Sequence, residues 1–154
     1  MPGVLTDLQN FALGLMKSDP YYARITLLSE QLGDIANRIQ IALGKLGICA
    51  IALTPEATVK HTNAPGPILD PIRVSIDVVE FVLKNRGDQG SKQAASDVAE
   101  HTAWLLHYPN HAGRRSDPCI LTAERLRIIP DKQFLIYRID FTTAGALAGI
   151  TEES

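Results

Sequence analysis

Apolar residues open the chain at spacings of one, three and four. Val4, Leu5, Leu8, Phe11, Ala12, Leu15 and Met16 predict a helix over residues 4–17. Asp19-Pro20 ends it, because proline disfavours helical backbone at the residue before it. Residues 24–28, from Arg24 to Leu28, are dense in β formers and read as a short strand. The clearest helical stripe follows in Leu32, Ile35, Ile39, Leu43 and Leu46. It predicts a helix over 30–46, with Ser29 as N-cap and Gly47 as the left-handed residue that closes it. The unbroken apolar run Ile48 to Leu53 then predicts a central strand over 48–53, covered on both faces.

Residues 54–71 contain four prolines, at 55, 65, 67 and 71, with little apolar periodicity, and so read as a long loop. Beyond it Ile72, Val74, Ile76 and Val78 alternate with Arg73, Ser75 and Asp77, predicting a strand over 72–83. At Val78-Val79 the alternation slips by one, and this predicts either a β-bulge or a change of covered face. Ser91 is placed to cap a helix over 91–107, whose shared face is Ala94, Ala95, Val98, Thr102, Leu105 and Leu106. Strands over 119–129 and 134–142 flank Pro130-Asp131-Lys132-Gln133, a turn that makes them an antiparallel hairpin. The tail, 143–154, has little to bury and is either frayed or docked on a neighbour. This order predicts one α/β (α+β) domain over residues 1–142. Its architecture is a two-layer sandwich: a mostly antiparallel or mixed sheet of four to five strands, with the two main helices on one face.

Composition narrows the classes. The 154 residues are 45% apolar and 21% charged, enough to bury roughly two thirds of the unfolded surface without disulfides or a metal. A formal charge of -2 lacks the basic surplus of a dedicated nucleic-acid binder. No apolar run is long enough to cross a bilayer. Lys17, the first basic residue, comes too late to head a secretory signal, so synthesis in a cytoplasm is expected.

Candidate chemistry is sparse. Gly87, Gly90, Ser91 and Lys92 suggest a phosphate loop, since a glycine-rich turn entering a helix offers backbone N–H groups to an anion. The spacing fails, with two residues between the glycines where a Walker loop has four, and with Gln93 after the lysine. A turn with an N-cap is the expected reading. His107 and His111 have the four-residue spacing of a metal pair, with His101 and Cys119 as further candidates, but Pro109 breaks the helix between them. Cys49 sits in the most apolar strand and reads as a small hydrophobe. Asp77 and Glu80 flank the slip, where a bulge could bring them to one face. An inward Glu80 needs a partner such as Arg73, Arg86 or a neighbouring subunit, and a buried ion pair is its first reading. Arg114-Arg115 makes a small basic patch beside His107 and His111, either a solvated loop or a contact to a subunit or DNA.

The order of features resembles a family of small phage and prophage proteins, the tail terminators or tail completion proteins. The similar residues are a helix-then-strand unit ending in Gly47-Ile48-Cys49-Ala50-Ile51 and the loop Asn63-Ala64-Pro65-Gly66-Pro67-Ile68-Leu69-Asp70. They continue through the strand Ile72 to Glu80 and Asn85-Arg86-Gly87 to a helix with Ala95, Ala99-Glu100 and Leu106-His107, so the likeness spans residues 24–142. Where relatives have a tight Gly-Thr-Gly-Lys turn, this chain has Gly87-Asp88-Gln89-Gly90-Ser91-Lys92. The resemblance implies a virion protein of the tail or neck, a non-catalytic subunit without cofactor or metal. It would form a homo-oligomeric ring, typically a hexamer, that caps the tail tube protein and meets the head-side connector or stopper. DNA would pass its channel without sequence-specific binding. Contact regions expected on this reading are Asn63, Pro65, Gly66 and Pro67 in the first loop, Arg114 and Arg115 in the second, and Leu147 and Ile150 in the tail. The alternatives are a connector, stopper or other neck adaptor, and, from a different class, a small nucleotide- or anion-binding enzyme domain.

Overall fold

The computed structural model describes residues 3–61, 67–106, 120–129 and 132–146. The chain begins with helix α1 (Val4–Lys17), a single 3-10 turn (Pro20–Tyr22), strand β1 (Thr26–Ser29) and helix α2 (Ile35–Lys45). Strands β2 (Ile48–Lys60) and β3 (Ile68–Phe81), the one-turn helix α3 (Val82–Asn85) and helix α4 (Ala95–Leu106) follow, then strands β4 (Ile120–Ile129) and β5 (Lys132–Ala146). The five strands form one mixed sheet in the order β1-β2-β3-β5-β4, in which only the β1–β2 pair is parallel. The α/β sandwich of sheet and helices expected from the pattern is therefore present. β4 and β5 pair antiparallel, as expected, with Ile129 opposite Lys132.

The helices distribute differently from the expectation of two main helices on one face. α1 and α4 pack with Ile48, Ala50 and Ala52 of β2, Val74, Ile76 and Val78 of β3, and Ile139 and Phe141 of β5, forming the main core. α2 packs instead with Leu28, Cys49, Ile51 and Val79, the alternate residues, and so lies on the opposite face. The cause is topological: α2 is the crossover between the parallel strands β1 and β2, and the handedness of such a unit sets the face its helix covers.

This second layer also accounts for the slip at Val78-Val79. Pairing runs without a break from Arg73 to Phe81 against β5, so no bulge occurs there. Val78 and Val79 are both buried because one meets the main core and the other meets α2. The register shifts of β2 and β3 fall beside prolines instead. Between Leu53 and Glu56 β2 gains a residue over β3, and between Leu69 and Ile72 β3 gains one over both neighbours. Proline has no N–H for the ladder and is accommodated at such points. Hence most of the expected loop 54–71 is strand, and β2 and β3 form a long hairpin arm in which Lys60 stands opposite Ile68. The tail expectation is corrected for the same reason: Thr143 to Ala146 continue β5, because the arm supplies Ile72 to Ile68 as partners.

Two helix starts also move. Ser29 does not cap α2, since its hydroxyl donates to Gln9 Oε1 at 2.7 Å and accepts from the Gln31 N–H at 3.1 Å. The helix starts later, after Asp34 in left-handed conformation (φ 57°), a backbone state that Asp tolerates better than most residues. Gly47 closes α2 with φ +82°, as expected. α4 begins at Ala95, four residues beyond Ser91, for a reason that lies in the site described next.

Candidate functional site

The turn before α4 is closed on itself. Gly87 N–H donates to Lys84 O, Gly90 N–H to Gly87 O, Ser91 N–H to Leu46 O and Lys92 N–H to Asn85 O. The N–H groups of both glycines, of Ser91 and of Lys92 are thus already bonded within the fold. The chain passes so tightly that a Cβ on Gly90 would stand 2.1 Å from Lys84 O and 2.2 Å from Asn85 O.

Glu80 occupies the place where an anion would sit. It is completely buried, and its Oε1 accepts the Ala95 N–H at 2.9 Å, at the positive end of α4. Its Oε2 accepts from Asn85 Nδ2 at 2.7 Å and from Arg86 Nε at 2.9 Å. The ion pair expected for Glu80 is present with Arg86 as its partner, but only the carboxylate is buried and the Arg86 side chain is half exposed. The hydrogen bond and then the charge of Glu80 raise Arg86 above its ordinary value, so the guanidinium is committed to this knot. The carboxylate replaces Ser91 as the cap of α4, because the Ser91 hydroxyl is turned to Gln93 Oε1 at 2.9 Å.

Asp77 does not join Glu80. It lies on the α2 side of the sheet, where Arg138 donates to it in bidentate fashion, Nε at 2.7 Å and a second nitrogen at 2.9 Å. In the next pair along the same face, Ser75 donates to Asp140. The two carboxylates singled out in the sequence are thus separated by the sheet. Each is held by an arginine.

His101 Nε2 donates to Asp19 Oδ2 at 2.6 Å and its ring stacks on Tyr21 with centroids 3.9 Å apart. Asp19 also caps the 3-10 turn by accepting the Tyr21 N–H at 2.9 Å. Chiefly the His101 hydrogen bond holds the Asp19 carboxyl below its ordinary range. Tyr22 beneath exchanges a 2.7 Å hydrogen bond with Thr102, and burial pushes its phenol well up. This histidine has a structural partner, and His107, His111 and Cys119 lie outside the described residues. Among the described residues no group of three or more His, Cys, Asp or Glu could hold a metal. Burial in the β2 core pushes the Cys49 thiol up to about 12, so it is un-ionised and inert as a nucleophile at neutral pH. Glu30, beside a surface groove of about 410 Å³, is held by Gln9 Nε2 at 2.8 Å and by Thr54 N–H at 3.0 Å.

Neither known family models nor curated proteins give a match to this chain. The surface therefore has to speak from its own geometry.

Of the contact residues expected from the sequence, Pro67 is exposed at the start of β3, where the arm ends. Asn63, Pro65, Gly66, Arg114, Arg115, Leu147 and Ile150 lie outside the described residues. Two exposed positions were not singled out. Ile41 on α2 is 54% exposed and Trp104 on α4 is 63% exposed. Both fall off the apolar stripe of their helix, and that off-stripe position was the available signal. Among the described residues no helix is long and apolar enough to cross a membrane.

Proposed function

We propose that this chain is a structural subunit of a phage tail or tail-like particle, forming a ring that caps the tail tube, ends its polymerisation and joins it to the head-side connector. The observation that carries the reading beyond the resemblance is the β2–β3 arm. β2 has 13 residues, yet β1 pairs only with Cys49 to Ala52. Past that point, among the described residues, β2 runs on to Lys60 beside β3 alone, with Pro55, Glu56, Thr58, Val59 and Lys60 exposed. A long strand edge is a liability in a subunit that stays alone, because its N–H and C=O groups template pairing with another chain. In an assembling subunit the same edge and the same exposed Val59 are contact surface. The closed turn at Gly90 and the occupied anion position at Glu80 favour this over a nucleotide- or anion-binding enzyme.

Deleting the gene from the particle's genome tests the role. Tails of abnormal length support termination, and normal-length tails that fail to join heads support the adaptor reading. Wholly normal particles contradict both. For the enzyme class, calorimetry with nucleotides is expected to show no heat of binding, and Lys92→Ala is expected to change nothing.

A further inference from the structure

The two helices that stand on opposite faces of the sheet carry opposite charge and matching exposed apolar residues. α2 has Arg38 and Lys45 and no acidic residue, and all three of Arg38, Ile41 and Lys45 are exposed. α4 has Asp97 and Glu100 and no Lys or Arg, and Asp97, Glu100 and Trp104 are exposed. On each helix these residues follow i, i+3, i+7 spacing and so form one outward stripe. The helices are 11 and 12 residues long, about 16–18 Å each, so the stripes match in length. Two neighbouring cations offset the acidic stripe only in part: Arg86 pairs first with Glu80 and only to a lesser extent with Asp97, and His101 is paired with Asp19. Gly44 is also exposed on α2 and has nothing within 4 Å of the space its side chain would fill, leaving room near Ile41 for a large ring.

We infer that the outer face of α2 on one copy docks on the outer face of α4 on the next, with Arg38 and Lys45 facing Asp97 and Glu100 around an Ile41–Trp104 contact. The occupant of each face is a second copy of this chain. Because the faces point away from each other across the sheet, one pair of copies cannot satisfy both at once. Every contact leaves a free α2 at one end and a free α4 at the other, so addition continues until rotation closes a ring. The contact supplies the partner surfaces for the ring proposed above and rests on that reading.

Charge exchange tests it. Arg38→Glu with Lys45→Glu makes both helices acidic, and Asp97→Lys with Glu100→Lys makes both basic. All four side chains are exposed, so the fold is expected to persist, and melting curves check this. Each variant alone is expected to need about 100-fold higher concentration to associate, since like charges facing each other cost several kcal/mol and each 1.4 kcal/mol is tenfold. An equimolar mixture is expected to assemble as the unaltered chain does, with the two variants alternating. Trp104 is the only tryptophan, so its emission should move to the blue on assembly of the unaltered chain and of the mixture. If the unaltered chain and both single-sign variants all form rings, or if the mixture stays apart, this contact is wrong while the ring reading stands. If the unaltered chain neither self-associates nor binds tube ends, the contact and the ring reading fall together.

Discussion

Gly90 sits where no other residue fits. A methyl group there meets two backbone carbonyls within 2.2 Å, and neither is the end of a flexible side chain. Gly90→Ala is expected to lower stability by about 3 kcal/mol, while Gly87→Ala, whose nearest neighbour is Leu83 O at 3.1 Å, costs less. Denaturant titrations of the two variants check the order. Glu80→Ala leaves the Ala95 N–H without its buried acceptor and is expected to cost about 3 kcal/mol by the same measurement, with Glu80→Gln milder because an oxygen acceptor remains. Burial of Glu80 was legible, since a charge inside the run Val78 to Val82 demands a partner. Its role as the cap of α4 was not, because the carboxylate reaches an N–H 15 residues away through a turn whose path no local pattern encodes. Cys49 behaves as its apolar neighbours require. In a Cys119→Ser background it should resist a thiol reagent at pH 8 until the protein is denatured, and rapid reaction of the native form would contradict its burial.

At the scale of elements, α1 is found where its periodicity places it, because every core-facing position of Val4–Lys17 meets one side of the sheet. The helix-to-strand junction at Gly47 and the β4–β5 hairpin were equally legible from turn residues. Prolines at 55, 67 and 71 hide the arm in the sequence, because proline marks loops more often than strands, although strands accept it at bulges and ends. Leu32 misled the start of α2; it is 38% exposed and precedes the helix. The 3-10 turn and α4 are tied together by Asp19 and His101, a link between residues 82 apart that sequence spacing cannot reveal. Because the folded Asp19 carboxyl lies below its ordinary 3.8, that link contributes stability above the ordinary value and loses it as pH falls through the lowered one. Asp19→Asn should therefore melt below the unaltered chain at about pH 5, and the margin should shrink as pH falls below the ordinary value of 3.8. Melting temperature against pH for the pair is the check.

For the whole molecule, the decisive feature is that helices cover both faces of one sheet while an arm of β2, β3 and β5 runs beyond the short strand β1. Strand composition announced an α/β sheet, but the side on which α2 lies follows from the parallel β1–β2 crossover, which appears only once pairing is known. Glu80, Asp77 and His101, which suggested chemistry, are bonded within the fold, whereas charge and apolar side chains remain displayed on α2, α4 and the arm. On the function proposed above, such a molecule works through its surfaces. The most direct test is the mass of the purified chain in solution across a concentration series at low salt, with negative-stain images of the same samples and of samples mixed with tail tubes. Closed rings of several copies, free or seated on tube ends, are the predicted result. A species that stays monomeric at the highest concentration and leaves tube ends bare would contradict the account.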